Sequence, residues 1–247
     1  MHIFRVNRTT AAQARGVTIV IDVIRAFTVA GHAFARGAQT LWLVREIEEA
    51  QALRERVFEE AASAEKPRVF LAGEHRGKLI PGFDFNNSPA QMSRANVQGG
   101  LLIQRTGAGT QGAVAVAHTP YILLCALTNA QATAAYARTL ATKTAGEITL
   151  FPTGSEEDFA YGSEDIYCAD YVEALLQERN DTQQLLEEHI AQLRASIRFE
   201  LWREGDADFP AEDIPTVLDA DRFHFAMLGI RKQWHDITYI EVQRINV

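Results

Sequence analysis

A nearly unbroken apolar run, mostly β-branched, occupies residues 17–24 (Val-Thr-Ile-Val-Ile-Asp-Val-Ile) and constrains the fold more than any other stretch of the chain. Such a run is typical of a strand that is buried on both faces, as in a parallel sheet. Asp22 interrupts the run near its C-terminal end. Because an unpaired buried carboxylate is costly, Asp22 must be paired, bind a metal or lie at the sheet edge where a pocket begins.

The same alternation of strand and helix patterns continues along the chain. Apolar runs predict further strands at 41–44, 69–71, 99–104, 121–126, 147–151 and 238–242. Helical patterns predict helices at 26–36, 46–64, 113–117 and 130–141, helix starts at Pro89 and Ser163, a charged helical region at 180–204, a loop at 205–215 and a short helix or turn at 221–228. We therefore predict an α/β fold, three-layer α/β/α with a mainly parallel sheet. Residues 1–247 would form a single domain, built as one body or as two closely packed lobes.

Composition excludes several classes of function. The formal net charge of −8 argues against a general binder of nucleic acid or anionic membrane, whose surface would be basic. No run approaches the roughly 18 consecutive apolar residues of a membrane span, and the N-terminus has no signal-peptide pattern. Cys125 and Cys168 lie in apolar surroundings, as expected of buried thiols in a reducing compartment. We expect a cytoplasmic protein with no nucleic-acid or membrane partner.

The segment from Leu71 to Pro89 brings acids, bases and hydrogen-bonding groups together. Its density of glycine and proline excludes a regular helix or a central strand. Loops at strand ends are where α/β proteins place their chemistry. The alternative is a solvated surface loop without a function, but the length of the segment and its partners elsewhere in the chain favour a site.

A second loop, residues 105–112 (Arg-Thr-Gly-Ala-Gly-Thr-Gln-Gly), lies between a predicted strand and a predicted helix. That arrangement presents backbone N–H groups and a helix dipole to an anion. The loop lacks the Walker ending and a well-formed dinucleotide fingerprint. We interpret it as a cradle for one phosphate or carboxylate; the alternative is a tight turn that needs glycine for its backbone angles.

Polar residues follow several of the predicted strands, and the carboxyl ends of parallel strands share one edge of a sheet. The predicted convergent set is Asp22, Arg25, Glu74, Arg76, Lys78, Asp84, Asn87, Ser88, Thr106, Gly107, Gly109, Thr110, Asn129, Glu164 and Asp165. Asn129 alone reads as an N-cap. Because hard oxygen ligands favour Mg²⁺, this set supports a Mg²⁺-assisted phosphoryl transfer to water.

The ordered motifs resemble the 2-phosphosulfolactate phosphatase family. They are Asp22-Val-Ile-Arg-Ala26, Gly73-Glu74, Gly82-Phe-Asp-Phe-Asn-Asn-Ser-Pro89, Thr106-Gly-Ala-Gly-Thr110, Thr128-Asn129, Glu164-Asp165 and a closing segment from Asp213-Ile-Pro215 to Met227. The resemblance implies a Mg²⁺-dependent phosphatase with a three-layer α/β/α fold. It also implies hydrolysis of 2-phosphosulfolactate to sulfolactate and phosphate, a step of coenzyme M biosynthesis.

Roles within this set are hypotheses. The catalytic residues are Asp22, Arg25, Glu74 and Asp84. Asp22 would be a metal ligand or the nucleophile, and Arg25 would clamp the phosphate or the second anion of the substrate. The predicted phosphate-binding residues are Asn87, Ser88, Thr106, Gly107, Gly109, Thr110 and Asn129. The predicted metal ligands are Asp22, Glu74, Glu164 and Asp165.

Two positions depart from the family pattern. Phe27 stands where a threonine is usual, and Asn86 replaces a glycine before Asn-Ser-Pro. These changes bear on the identity of the substrate more than on phosphate chemistry. The partner we expect is a small anionic phosphorylated substrate, and a homodimer is compatible with the apolar tail. The alternatives are a phosphate- or carboxylate-binding protein with little turnover and a phosphatase of another small metabolite.

Overall fold

The β-branched runs and the amphipathic segments between them form strands and helices in the computed structural model, which describes residues 1–61, 67–154, 163–196, 202 and 205–247. The strands are β1 (His2–Arg5), β2 (Val17–Ile21), β3 (Thr40–Val44), β4 (Val69–His75), β5 (Lys78–Leu79), β6 (Leu101–Arg105), β7 (Tyr121–Cys125), β8 (Glu147–Pro152), β9 (Phe225–Trp234) and β10 (Ile237–Asn246). The helices are α1 (Ala26–Ala35), α2 (Ile47–Glu60), α3 (Pro89–Met92), α4 (Gly109–Ala115), α5 (Ala130–Ala141), α6 (Ser163–Leu176), α7 (Thr182–Ala195) and α8 (Asp213–Val217). Short 3-10 turns occupy Ala11–Gln13 and Leu127–Asn129.

All of these strands join one mixed sheet in the order β1-β8-β2-β7-β9-β10-β3-β6-β4-β5. β1, β8, β2 and β7 are parallel to one another, and so are β3, β6 and β4. The hairpin β9–β10 joins the two parallel halves, and it is antiparallel to β7 on one side and to β3 on the other. The two halves therefore run in opposite directions along the sheet.

Helices cover both faces of this sheet, which confirms the predicted three-layer architecture. α1 and α4 pack on one face, against residues such as Val20 of β2 and Leu41 of β3. On the other face α5, α6 and α7 cover β2, β7 and β8, while α2 covers β3, β4 and β6. Cys125 and Cys168 lie in the α5–α6 layer as buried free thiols, as predicted.

The carboxyl ends of β2 and β4 meet although their half-sheets run in opposite directions. The Arg25 Nη2 atom, beyond β2, lies 3.3 Å from the carbonyl oxygen of Gly77, beyond β4. The loops after β2 and β4 therefore converge, although the sheet is not uniformly parallel.

Most predicted elements are present, and the largest error lies in the tail. The short helix or turn predicted at 221–228 is wrong, because Phe225 starts the long strand β9. Pairing with β7 and β10 on both sides outweighs the helix preference of its Ala-Met-Leu stretch. β1 and β5 were not predicted, and α8 begins inside the predicted loop at 205–215. Parts of the predicted acidic loop 152–165 and helical region 180–204 lie outside the described residues.

None of the helices among the described residues has the length and apolar character needed to cross a bilayer.

Candidate functional site

Asp22 is the first residue after β2 and is 3% exposed. Its Oδ1 accepts a hydrogen bond from the N–H of Ala26 at 2.9 Å, at the start of α1. Its own N–H donates to the carbonyl of Cys125 at the end of β7. The carboxylate is thus held at the N-terminal end of a helix, where the helix dipole stabilises negative charge.

The glycine-rich loop packs directly against Asp22. A Cβ on Gly109 would lie 2.6 Å from the Asp22 Oδ2 atom and 2.8 Å from the Ala26 Cβ. Gly107 and Gly109 have no positive φ, unlike Gly73 in β4 and Gly77 in the turn that follows β4. Glycine is therefore needed here for close approach to the carboxylate, and not for the backbone angles of a turn.

α6 places a second carboxylate beside Asp22. The Val23 N–H donates to Asp165 Oδ1 at 2.7 Å, and the Thr153 hydroxyl lies 3.3 Å from Asp165 Oδ2. Glu164 and Asp165 are both buried in the first turn of α6. The structure therefore brings Asp22 and Asp165 to the same strand end, as predicted.

Glu74 joins the two loops. Its Oε1 accepts from the N–H of Gly107 at 2.6 Å and its Oε2 from the N–H of Gly77 at 2.7 Å. The glycine-rich loop was predicted to present its backbone N–H groups to an anion of the substrate. The Gly107 N–H instead donates to Glu74, a carboxylate of the protein itself. The hydroxyls of Thr106 and Thr110 bond within their own turn, so they shape the loop that contacts Asp22.

Arg25 is buried at the centre of a polar network. Its Nη1 donates to the Asp208 carbonyl at 2.6 Å and to Asp213 Oδ2 at 3.0 Å. Its guanidinium carbon also lies 4.8 Å from the centroid of the Phe209 ring and 5.4 Å from that of Trp202. Arg25 thus ties the start of α1 to residues 205–217, and its contact with a phosphate stays a prediction.

Asp213 is the residue of this network that sequence reasoning assigned no role. It is fully buried, and its Oδ1 accepts from the Ser88 hydroxyl at 2.7 Å and from the Ala90 N–H at 3.0 Å. One carboxylate therefore holds both Arg25 and the N-terminus of α3. The sequence signal was the Asp-Ile-Pro of the closing motif, which carried the resemblance but no chemistry of its own.

The Asn-Asn-Ser stretch lines the same network. Ser88 caps α3 by accepting from the Gln91 N–H. Asn87 Oδ1 accepts from Gln104 Nε2 at 3.4 Å, and the same Gln104 nitrogen donates to the carbonyl of Ala26. Asn86 donates to Asp208 Oδ1 at 2.8 Å. The amide that departs from the family pattern therefore anchors the segment that also holds Arg25.

The other departure, Phe27, lies in the hydrophobic core with no exposed surface.

Asp84 and Asn129 lie apart from this cluster. The Asp84 side chain is 43% exposed, accepts from the Leu71 N–H and lies 4.0 Å from Arg54 of α2, in the layer on the opposite face. The Asn129 amide bonds to Ala126, Leu124 and Thr133 at the β7–α5 junction. Asn129 occupies the N-cap position of α5, but its side chain makes no capping hydrogen bond to that helix, because its Oδ1 accepts from the Ala126 N–H instead. Catalytic or binding roles for both Asp84 and Asn129 stay predictions.

Metal ligands are few in this site. Among the residues that the structure describes, no group of three or more His, Cys, Asp or Glu side chains is arranged to hold a metal ion. Mg²⁺ commonly takes only one or two protein carboxylates and completes its shell with water and substrate phosphate. Asp22 and Asp165, held at one strand end, fit that smaller requirement.

Thiol chemistry is disfavoured beside the site. Cys168 lies on α6, one turn after Asp165, and burial raises the pKa of its thiol well above the ordinary value. Because the thiolate is the nucleophilic form of cysteine, Cys168 is unreactive at neutral pH.

Comparison with known proteins places the chain among the relatives that its motifs suggested. The family model described as 2-phosphosulpholactate phosphatase matches residues 3–206. A Bacillus subtilis (strain 168) protein named probable 2-phosphosulfolactate phosphatase is 34% identical over 164 residues, which are 66% of this chain and 65% of that protein. A Deinococcus radiodurans protein of the same name is 38% identical over 168 residues, which are 68% of this chain and 64% of that protein.

The matched region covers slightly less than two thirds of each of these two relatives. The family model, in contrast, spans most of this chain, including the loops that carry Asp22, Glu74, Gly109 and Asp165. The chain belongs to the 2-phosphosulpholactate phosphatase family.

Proposed function

We propose that this protein is a Mg²⁺-dependent phosphatase that hydrolyses the phosphate ester of a small 2-hydroxy acid, with 2-phosphosulfolactate as the leading substrate. The products would be the hydroxy acid, sulfolactate in that case, and inorganic phosphate. One observation carries the proposal: the glycine-rich turn before α4 packs on the buried carboxylate of Asp22. A carboxylate at a helix N-terminus beside closely approaching backbone is suited to phosphoryl transfer.

Some residues of the site would take part in the reaction itself, and others would hold those residues in position. Asp22 would act, either as nucleophile or, with Asp165, as a ligand of Mg²⁺. The metal, when bound, would neutralise charge on the transferring phosphoryl group. Glu74 holds the Gly107 N–H, so that it fixes the glycine-rich turn against Asp22. Glu74 and Glu164 as metal ligands stay predictions, as do a single domain, a cytoplasmic location, a role in coenzyme M biosynthesis and a homodimer.

The test is phosphate release from a panel of monoesters, with Mg²⁺ and with a chelator. The panel contains 2-phosphosulfolactate, 2-phospholactate and isopropyl phosphate. We expect release with Mg²⁺ and its loss with the chelator. Release that persists in the chelator would remove the metal from the proposal, and no release from any ester would remove the phosphatase.

Asp22→Asn isolates the residue that carries the proposal. Since Asp22 would act directly on the phosphoryl group or its metal, we expect kcat to fall by roughly a hundredfold or more. The matched control is Asp181→Asn, because Asp181 pairs with Arg179 at the surface. Both variants should melt like the parent protein. Full activity in Asp22→Asn would exclude Asp22 from the reaction.

A ligand-binding protein with little turnover is the second candidate. The absence of a three-carboxylate metal cluster among the described residues favours it. It would bind the same esters, measured by calorimetry, without releasing phosphate in the presence of Mg²⁺.

A further inference from the structure

Besides its phosphate, the proposed substrate carries at least one more anionic group, and two arginines near the site, the buried Arg25 and the half-buried Arg105, are already bound to protein. Arg25 donates to Asp213, to the Asp208 carbonyl and to the Gly77 carbonyl. Arg105 donates to the carbonyls of Arg45 and Glu74. Another cation is needed for the second anionic group of such a substrate.

Arg8 lies at the correct edge of the sheet. It follows β1, whose carboxyl end is on the same edge as those of β8 and β2 because the three strands are parallel. Its Nε donates to the carbonyl of Thr153, the residue after β8, at 2.7 Å. The hydroxyl of Thr153 in turn donates to Ile21 and lies 3.3 Å from Asp165. Arg8 is therefore anchored to the residue that contacts both Asp165 and the last residue of β2, Ile21, which precedes Asp22.

The rest of the Arg8 guanidinium is available to a ligand. Within the described residues, the Thr153 carbonyl is the one acceptor that the Arg8 side chain contacts. The bond through Nε anchors the exposed guanidinium and leaves both Nη groups to donate. Such a fork suits two oxygens of a carboxylate or sulfonate.

The loop that carries Arg8 is itself ordered. The Asn7 Oδ1 accepts from the N–H groups of Thr9 and Thr10 at 3.0 and 3.1 Å. The backbone around Arg8 is therefore ordered before a ligand arrives, and the exposed Arg8 side chain is anchored through Nε to the Thr153 carbonyl, so that less conformational entropy is lost on binding.

The spacing of the strands sets the distance that Arg8 must reach. Neighbouring strands lie roughly 4.8 Å apart, and β8 separates β1 from β2. The carboxyl ends of β1 and β2 are therefore roughly two strand spacings apart, and Arg8 and Asp22 lie beyond those ends. In a 2-hydroxy acid ester the phosphate is on C2 and the second anion is on or next to a neighbouring carbon, so the long side chain of Arg8 would have to span most of that separation.

We propose that Arg8 binds the carboxylate or sulfonate of the substrate while its phosphate lies at Asp22. This proposal rests on the proposed function, since it names the group that selects the substrate class at the same site. Arg8 would be a binding residue that discriminates 2-hydroxy acid phosphates from simple alkyl phosphates.

The experiment compares two esters that differ in one group. 2-Phospholactate and isopropyl phosphate share their carbon skeleton, but only the first has a carboxylate. In Arg8→Gln we expect kcat/KM for 2-phospholactate to fall about tenfold or more, mainly through KM, as expected for the loss of a charge-assisted hydrogen bond. Hydrolysis of isopropyl phosphate should change by less than about twofold. Arg8→Lys should recover part of the loss.

Arg15→Gln is the matched control. Arg15 pairs with Glu147 and stacks on Phe4, before β2 and therefore at the opposite edge of the sheet. It should leave the ratio of the two esters unchanged. Equal losses for both esters in Arg8→Gln, or no loss for either, would overturn the role of Arg8.

Binding separates this proposal from the phosphatase itself. If the parent protein releases phosphate from neither ester, calorimetric titration with both esters still reports on Arg8. Weaker binding of 2-phospholactate alone in Arg8→Gln would support the anion subsite in a protein that does not turn over. A parent protein that neither hydrolyses nor binds these esters would overturn both proposals.

Discussion

At the scale of single residues, the site depends on carboxylates that are held by backbone N–H groups. Asp22, Glu74, Asp165 and Asp213 each accept at least one such bond. Backbone donors stabilise the charged form of a carboxylate in a buried place where water cannot. The acidic residues of the site are therefore supported by backbone that comes from different loops.

Asp213 provides the residue-scale prediction. Asp213→Ala would remove the buried carboxylate that binds Arg25, the Ser88 hydroxyl and the Ala90 N–H, so we expect the free energy of unfolding to fall by roughly 3–5 kcal/mol. Asp219→Asn is the control, because Asp219 pairs with Arg222 at the surface, where a pair contributes about 1 kcal/mol or less. Chemical denaturation measures both. If Asp213→Ala unfolds at the same denaturant concentration as the control, the buried pair is not what holds the segment around α8.

At the scale of elements, the start of α4 shows how local preference and tertiary contact oppose each other. α4 begins at Gly109, inside the stretch where the sequence predicted a loop. Alanine is favoured over glycine in an isolated helix by roughly 0.5–1 kcal/mol. The approach of Gly109 to Asp22 reverses that preference, because an added methyl group would overlap the carboxylate.

Gly109→Ala therefore separates these two effects. We expect it to destabilise the protein by roughly 1–3 kcal/mol, as overpacking does, and to displace Asp22, so that phosphate release falls. Gly107→Ala is the graded comparison: its Cβ would lie 3.2 Å from the Glu74 Oε1 atom, which is a milder contact. Thermal melts and phosphate release should rank Gly109→Ala below Gly107→Ala. A stabilised, active Gly109→Ala would mean that helix preference decides at this position.

Elements with clear periodicity were predictable from the sequence, and contacts between distant segments were not. α5 and the start of α6 match their predicted bounds, because helical spacing and capping signals are local. Asp213 and Arg8 act through partners 125 and 145 residues away in the chain, Ser88 and Thr153. No local pattern marks such residues. The sequence predicted that the glycines near Asp22 lie in a loop. It could not show why glycine is needed there, because the close approach of Gly109 to the Asp22 carboxylate depends on tertiary structure.

At the scale of the whole molecule, the hairpin β9–β10 makes one sheet out of two parallel halves. It supplies the tail strand that the sequence did not predict, and it lies between β7 and β3. The loops after β2 and β4, whose strands lie on either side of this hairpin in the sheet, nevertheless meet at the Arg25–Gly77 contact. Asp22 and Asp165 belong to one half, while Glu74 belongs to the other. The site is therefore assembled across the hairpin.

Gly229, in the middle of β9, tests this dependence. It lies opposite Ile122 of β7 and Val242 of β10, and an added Cβ would lie 2.7 Å from the Ile240 Cγ2 atom. Gly229→Val should therefore crowd Ile240 within the hairpin and, at 3.3 Å, Ile122 of β7, which lowers the free energy of unfolding by roughly 1–3 kcal/mol. Gln233→Val, on the exposed part of the same strand, should change it by less than about 0.5 kcal/mol.

Activity and calorimetric melting of Gly229→Val should decline together, since the two halves contribute different parts of the site. Phosphate release that survives in a Gly229→Val protein with a lowered melting temperature would show that the halves hold the site without the hairpin. Two separate melting transitions in the parent protein would lead to the same conclusion. A single transition, lost together with phosphate release in Gly229→Val and unchanged in Gln233→Val, is the outcome that the continuous sheet predicts.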